Sequence, residues 1–219
     1  MQSASEKTRR LVLIATSNLG KLRDFAAAAQ HGVEIASVPN FSAIPLATED
    51  APTFEANACK KAEHYSRYAQ GELVLADDSG LRVDALDGAP GVRSARYALD
   101  ENIETGAPSQ AHSSSDKANN ERLLREMDDI PEERRSARFI CSIAVARNGR
   151  TVAVFRGEVE GTILHAARGT GGFGSDPLFY IERLGKTFAE LSPSEKASIS
   201  HRGQAFAKFL RWYDQQDGL

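Results

Sequence analysis

Two adjacent carboxylates, Asp77 and Asp78, directly follow the apolar run 73–76. Such a run predicts a buried strand that ends at the carboxylates, with Ser79 and Gly80 turning the chain. Carboxylates at the rim of a sheet are oxygen ligands of the kind that hard cations such as Mg²⁺ prefer. For an arbitrary Asp-Asp pair, an acidic turn exposed to solvent is the better interpretation, so the rest of the chain must decide between the two.

Basic residues are dispersed along the chain where they could meet an anionic ligand. The apolar run 11–15 leads into a helix N-terminus, whose free backbone N–H groups and Lys21 favour an anion. Taken alone, an ordinary helix capped by Ser17 or Asn18 explains this stretch equally well. The complete set of candidate groups meets the needs of phosphoryl chemistry: carboxylates for Mg²⁺ at Glu49, Asp77 and Asp78, and cations for phosphates at Lys21, Lys61, Lys186, His201 and Arg202.

The elements that must position these groups alternate between strands and helices. Apolar patterns predict helices over 19–30, 53–69, 116–127 and 203–213, and strands over 11–15, 32–38, 73–76, 137–146 and 151–160. Asn148-Gly149 between the last two strands predicts an antiparallel hairpin, whereas the early strands are of the parallel type. We therefore expect an α/β fold with a mixed sheet. On the second helix, the polar stripe of Asn57, Lys61 and His64 is most simply a solvated face.

A glycine-rich segment at 169–179 matches the pattern Gly-x-Gly-x-x-Gly, with its last glycine at Gly174. We reject a dinucleotide-binding loop here, because Asp176-Pro177 stands where the helix should begin and no early strand–helix unit surrounds the glycines. The glycines are better suited to letting the backbone approach a ligand closely. No Ser-His-Asp spacing is evident, so a covalent mechanism at Ser79 has little support.

The composition limits the classes of function. The chain has 219 residues, of which 41% are hydrophobic and 26% charged, with a formal net charge of −3. This balance disfavours a broad nucleic-acid surface but leaves room for one local basic pocket. Residues 1–10 lack the apolar core of a signal peptide and predict a flexible tail, and no stretch is long enough to span a membrane. We therefore expect a soluble cytoplasmic protein in which Cys59 and Cys141 are reduced.

Six short blocks closely resemble the inosine triphosphate pyrophosphatase family, whose members hydrolyse non-standard purine nucleoside triphosphates. The blocks occur in the family's order: Ala-Thr-Ser-Asn-Leu-Gly-Lys at 15–21, Thr-Phe-x-x-Asn-Ala at 53–58, Ala-Asp-Asp-Ser-Gly-Leu at 76–81, Gly-Ala-Pro-Gly-Val-x-Ser-Ala-Arg-Tyr at 88–97, the glycine-rich segment at 169–177, and Ser-His-Arg-Gly at 200–203. The resemblance spans roughly residue 11 to the C-terminus, and it does not rest on any single motif.

The resemblance implies an elongated mixed sheet flanked by helices, two lobes with a nucleotide cleft between them, a single domain over 11–219 and usually a homodimer. It implies Mg²⁺-dependent hydrolysis of ITP, dITP or XTP to the monophosphate and pyrophosphate. Asp78 would be the general base and a metal ligand, and Glu49 a further metal ligand. Carried over by position, the substrate contacts would be Thr16, Ser17, Asn18, Leu19, Gly20 and Lys21 for the triphosphate, Ser79, then Phe173, Gly174, Ser175 and Asp176 for base and sugar, and Lys186, His201 and Arg202 for base and phosphates.

Three residues depart from the family's pattern: Ser17 replaces a usual Gly, Ser175 a usual Tyr and Ala56 a frequent Glu. They affect the turn before the first helix, one wall of the nucleotide cleft and a capping box, and they leave the presumed base and metal ligands in place. Asp77 is equally well explained as a second metal ligand or as a structural residue. The polar loop 99–115 is expected to be mobile. Two alternative functions stay open: a nucleotide-binding sensor without turnover and a pyrophosphatase for modified pyrimidine triphosphates.

Overall fold

One mixed sheet organises the protein. A computed structural model describes residues 10–29, 33–99 and 115–216. Within these residues seven strands are arranged in the order β2-β1-β3-β4-β5-β6-β7. Their bounds are Arg10–Ile14 for β1, Val33–Ser37 for β2, Val74–Val83 for β3, Ser136–Arg147 for β4, Arg150–Ile163 for β5, Phe179–Ile181 for β6 and Lys186–Thr187 for β7. β1 pairs in parallel with β2 and β3, and the later neighbours pair antiparallel. The prediction of a mixed α/β sheet is confirmed.

Of the α-helices with described bounds, four match predicted helices with shifted ends, and Pro193–Ile199 was not predicted. The helices are Leu19–Ala28 (α1), Phe54–Ser66 (α2), Asp116–Glu126 (α3), Pro193–Ile199 (α4) and His201–Asp214 (α5). No helix in the described ranges is long and apolar enough to cross a bilayer. The predicted tail 1–10 and mobile loop 99–115 lie, apart from residues 10, 99 and 115, outside the described residues.

Local capping chemistry determines where three of these helices begin. Asn18 caps α1, because its side chain accepts the N–H of Lys21 at 3.1 Å. Thr53 caps α2 by accepting the N–H of Ala56 at 3.1 Å, so this cap forms without the reciprocal acidic partner. The side chain of Ser200 caps α5, which therefore begins two residues before its predicted start.

Strand β3 does not end at the paired carboxylates, and that prediction is wrong. The strand continues to Val83, and its ladder with β4 is unbroken from Val74 onward, with Asp77 opposite Ile143 and Asp78 opposite Ser142. Backbone pairing with β4 continues the strand through this polar stretch, although the polarity of its side chains alone predicts a turn. The neighbouring strand β1 ends earlier, and its last pair with β3 joins Ile14 to Leu75. The carboxylates therefore lie just beyond the carboxyl end of β1.

The apolar core is divided on either side of this polar stretch. Leu75 packs in one buried cluster with residues of α1, β4 and α5, and Ala76 packs in a second cluster with residues of α2. Leu81 and Val83 belong to a third cluster, which includes Phe179. Residues 77–80 thus lie between apolar regions that anchor both ends of the strand, and this rigid support holds their side chains in place.

Candidate active site

A cavity of about 650 Å³ opens beside the middle of β3. It lies where the end of β1, the start of α1, one face of α2, the glycine-rich segment and the start of α5 come together. Its lining includes most of the residues predicted from the sequence: Thr16, Ser17, Asn18, Lys21, Glu49, Lys61, Asp78, Ser79, Phe173, Gly174, Ser175, Asp176, His201 and Arg202. The fold thus gathers segments that are up to 186 residues apart in the chain.

Three of the predicted contacts are not in the cavity lining. Leu19 is 71% exposed on the outer side of α1, and Gly20 is buried beneath the ring of Phe173. Lys186 requires a correction: it is exposed on β7, at the far edge of the sheet, where its Nζ lies 3.5 Å from Glu195. The sheet order separates Lys186 from the cavity, since β4, β5 and β6 intervene between β3 and β7.

Asp78 is a buried carboxylate with defined partners. Asn57 donates to its Oδ2 at 3.0 Å, and Lys61 Nζ lies 3.6 Å from its Oδ1. Burial raises the pKa of Asp78 above its usual range, although the charges of Lys61 and Lys21 act in the opposite direction. A carboxylate with a raised pKa, at the wall of a cavity, is suited to accept a proton.

Asp77 faces a different set of partners. Its Oδ2 lies 2.9 Å from Lys21 Nζ and 3.6 Å from Arg202 Nε, and it accepts the hydroxyl of Ser79 at 3.1 Å. Burial disfavours its charge, but Lys21, Arg202 and Lys61 outweigh burial and hold the pKa of Asp77 far below its usual range. Asp77 therefore stays ionised and holds two cations of the cavity, a role that favours the structural interpretation over that of a metal ligand.

The polar stripe of α2 is only partly a solvated face. Asn57 and Lys61 are buried, at 1% and 8% exposure, and both point to the acidic groups of the cavity. Burial disfavours the charge of Lys61, but Asp78, Glu49 and Asp77 raise its pKa. His64 points away and contacts the carbonyl of Pro45 at 2.7 Å. The solvated-face interpretation is therefore wrong for Asn57 and Lys61.

Arg202, at the start of α5, is a further buried cation that lines the cavity. Its guanidinium pairs with Asp24 of α1 at 2.5 Å and donates to Ser79 Oγ at 2.8 Å. A cation at a helix N-terminus is unfavourable by itself, and the carboxylates of Asp24 and Asp77 compensate for it. The role of Asp24 was missed from sequence, although its i+3 spacing from Lys21 places both residues on one side of α1.

The buried charge beneath the glycine-rich segment is Lys196, which the sequence did not distinguish from surface lysines. Lys196 is 5% exposed, and its Nζ lies 2.6 Å from Asp176 Oδ2 and 3.6 Å from Asp24. Asp176 also accepts the main-chain N–H of Phe173 at 2.8 Å. Burial raises the pKa of Asp176, while Lys196 acts against that shift. This pair fixes the backbone that presents Phe173.

Hydrogen bonds from α3 hold Ser175 and Gly174 in place, at the position where the resembling family usually has Tyr after Gly. Ser175 Oγ donates to Asn120 Oδ1 at 2.7 Å, and Asn120 Nδ2 donates to the carbonyl of Gly174 at 3.0 Å. The N–H of Gly174 in turn donates to Asp116 at 2.7 Å. Ser17 is likewise accommodated, since it is not one of the described non-glycine residues with positive φ. The departures at Ser175 and Ser17 are therefore compatible with a well-formed cavity.

Comparisons with known proteins agree with this arrangement. The model of the Ham1 family matches residues 12–212. Relatives named dITP/XTP pyrophosphatase from Geobacillus kaustophilus and Acidobacterium capsulatum are each 48% identical to the chain, covering 93% and 90% of it and 94% and 95% of their own lengths. The solved structure of a HAM1 protein from Coxiella burnetii has a TM-score of 0.78 at 33% identity, covering 94% of this chain and 99% of that one.

Proposed function

The chain belongs to the Ham1 family, and we propose from this premise that it hydrolyses dITP, XTP and ITP to the nucleoside monophosphate and pyrophosphate. The observation that carries the proposal is the buried carboxylate of Asp78, whose pKa is raised, in a cavity that Lys21, Lys61 and Arg202 also line. A general base beside cations for phosphate groups is the arrangement that hydrolysis of a polyphosphate requires.

In the proposed reaction, Asp78 accepts a proton from a water molecule that attacks the α-phosphorus. The bond between the α-phosphorus and the bridging oxygen breaks, and pyrophosphate leaves with the electron pair. Asn57 and Lys61 orient the carboxylate of Asp78 through their contacts of 3.0 and 3.6 Å. Lys21 and Arg202 present positive charge toward the phosphates, and such charge is more effective in a cavity than in bulk water.

We also propose that Glu49 and Asp78 hold a divalent cation such as Mg²⁺. Lys61 Nζ lies 3.0 Å from Glu49 and 3.6 Å from Asp78, so the two carboxylates already bind one positive charge between them. In the described part of the chain, no group of three or more His, Cys, Asp or Glu side chains is arranged to hold a metal. Two carboxylates suffice for Mg²⁺ when substrate phosphates and water complete its shell. When bound, the cation would neutralise phosphate charge.

Selection of the base is proposed to occur beside Phe173, which would stack on the purine. A 6-oxo group accepts hydrogen bonds, whereas the 6-amino group of adenine donates them. A protein donor that faces the 6-position is therefore left unpaired by adenine, and a buried unpaired donor is costly. This mismatch is expected to exclude ATP.

Pyrophosphate release from ITP by the Asp78→Asn variant tests the assignment of the base. Asparagine keeps the shape of the side chain but cannot accept the proton, so the rate should fall about 100-fold or more. Asp87→Asn is the matched control, because Asp87 is an exposed acid seven residues after the end of the polar stretch and should retain wild-type activity. Near wild-type release by Asp78→Asn would remove Asp78 from this role.

Competition among ITP, XTP, dUTP, dTTP and ATP in one assay separates the alternatives. ITP and XTP should be converted in preference to ATP and the pyrimidine nucleotides. Preference for dUTP or dTTP would indicate the pyrimidine pyrophosphatase, and binding of ITP without pyrophosphate release would indicate the sensor.

Three further properties implied by the family resemblance stay proposals. We propose that residues 11–219 act as a single catalytic domain, that the protein forms a homodimer, and that it acts in the cytoplasm. Light scattering coupled to size-exclusion chromatography measures the mass of the particle directly. A monomer mass of 23.8 kDa at working concentrations would contradict the dimer.

A further inference from the structure

Gly20 is the second residue of α1, and its φ is not positive, so the backbone itself does not require glycine there. Alanine is the better helix former, because glycine loses more conformational freedom when the chain folds. Gly20 is buried, although its neighbour Leu19 is exposed. A buried glycine inside a helix indicates that another part of the protein approaches the backbone closely.

The group that approaches Gly20 is the ring of Phe173. A Cβ atom built on Gly20 would lie 2.6 Å from Cδ1 of that ring and 2.9 Å from both Cε1 and Cγ. Contacts below 3.0 Å are far inside van der Waals separation, so even a methyl group at residue 20 would displace the ring. The ring thus rests directly on the backbone of α1.

Other contacts limit how the ring can move aside. Lys196 Nζ lies 4.8 Å and Arg202 Cζ 5.3 Å from the centre of the Phe173 ring, and both cations are buried. The main-chain N–H of Phe173 is held by Asp176 at 2.8 Å. A displaced ring would therefore disturb buried ion pairs or its own anchored backbone.

We propose that Gly20 is a positioning residue, whose lack of a side chain seats Phe173 against α1 and so aligns the base-stacking ring with the phosphate-binding end of the same helix. Asn18 and Lys21 flank Gly20 and line the cavity. Gly20 itself is absent from the lining of the cavity, and in this role it acts through Phe173. The effect on substrate binding rests on the proposed function, whereas the contact between Gly20 and Phe173 can be tested without substrate.

The Gly20→Ala variant is the test, made both in the wild-type protein and in a Phe173→Ala background. With Phe173 present, KM for ITP should rise about tenfold, the scale of a lost base–aromatic stack, while kcat stays within about threefold. In the Phe173→Ala background the ring is gone, so Gly20→Ala should not change KM further. Ala26→Gly, at an exposed position of α1, is the matched control and should lower the urea midpoint without changing KM.

The urea midpoints of the wild type, Gly20→Ala, Phe173→Ala and the double variant test the contact independently of catalysis. Gly20→Ala should raise the midpoint in the Phe173→Ala background, because alanine favours the helix, and should raise it less or lower it when Phe173 is present. Equal changes in both backgrounds, or an unchanged KM in an active Gly20→Ala enzyme, would overturn the inference. If the wild-type protein released no pyrophosphate from ITP, the proposed function would fail, and the midpoints would still decide the role of Gly20.

Discussion

His201 contributes to the pH dependence of the protein's stability, and replacing it with glutamine should remove that contribution. The side chain is 3% exposed, and its ring stacks on Phe139 with the ring centres 4.8 Å apart. Burial, together with the charges of Arg202, Lys196 and Lys21, lowers the pKa of His201 well below its usual range, while Asp77 acts in the opposite direction. The folded protein therefore holds a neutral imidazole.

The size of the effect follows from the difference in proton binding between the folded and unfolded states. An unfolded histidine has a pKa of about 6.5, so below that pH the unfolded chain binds a proton that folded His201 does not. The stability contributed by the neutral ring is therefore complete above this pH and falls as the pH falls, by about 1.4 kcal/mol per unit until the folded pKa is reached. Between about pH 7.5 and about pH 5.5, the loss due to His201 amounts to about 1.4 kcal/mol.

Urea unfolding followed by circular dichroism measures the free energy of unfolding of the wild type and of His201→Gln at both pH values. Other titrating groups contribute equally to the two proteins, so the difference between their pH-dependent losses isolates His201. Phe139→Leu serves as the control, since it weakens the packing around the ring and should lower stability at both pH values without reducing the pH-dependent loss. A His201→Gln variant that loses as much stability as the wild type on acidification would show that His201 does not cause this loss.

Two further predictions compare a buried cation with an exposed one. Lys196→Met leaves the Asp176 carboxylate buried without its partner, so it should lower the free energy of unfolding by about 3 kcal/mol or more and raise KM for ITP. Lys186→Met should change neither the free energy of unfolding nor KM appreciably. Equal effects of the two variants in urea unfolding and steady-state kinetics would contradict the placement of Lys196 as the buried partner of Asp176. Arg135→Met removes the donor to the carbonyls of residues 127, 130, 163 and 164 and should cost about 3 kcal/mol or more in urea unfolding. The exposed neighbour variant Arg134→Met should stay within about 0.5 kcal/mol of the wild type, and a similar value for Arg135→Met would argue against these hydrogen bonds.

Local chemistry in the sequence determined the kinds of elements and several of their boundaries. Asn148 and Gly149 both adopt positive φ, and they form the turn that their residue types predict between β4 and β5. Asn18 and Thr53 cap α1 and α2 because their side chains can accept nearby backbone N–H groups. Each of these features depends on residues close together in the chain, so the sequence suffices to predict them.

The sequence also identified most of the cavity, because its blocks resemble those of a known family in their order and content. Asp78, Ser79 and the segment around Phe173 do line the cavity. Spacing alone could not have established this proximity, since nearly a hundred residues separate Asp78 from Phe173. The prediction of their common location rested on the resemblance, and the sheet provides its physical basis.

The tertiary structure alone decided which partner each charged group has. Asp77 and Asp78 are adjacent and chemically identical, yet Asp77 faces Lys21 and Arg202 while Asp78 faces Asn57. Their pKa values consequently shift in opposite directions. Partner choice depends on strand pairing and helix packing between distant segments, which residue types along one strand do not encode.

The same reason explains the errors around the paired carboxylates. Backbone hydrogen bonds to β4 carry β3 past Asp77 and Asp78, although their polarity suggested a turn. Lys196 is buried beside Asp176, whereas the predicted Lys186 is exposed on β7. The sequence determined that acidic and basic groups would meet in a cavity beside one strand. Only the packed fold decided which of them are buried there, because burial and pairing are properties of the assembled sheet and helices.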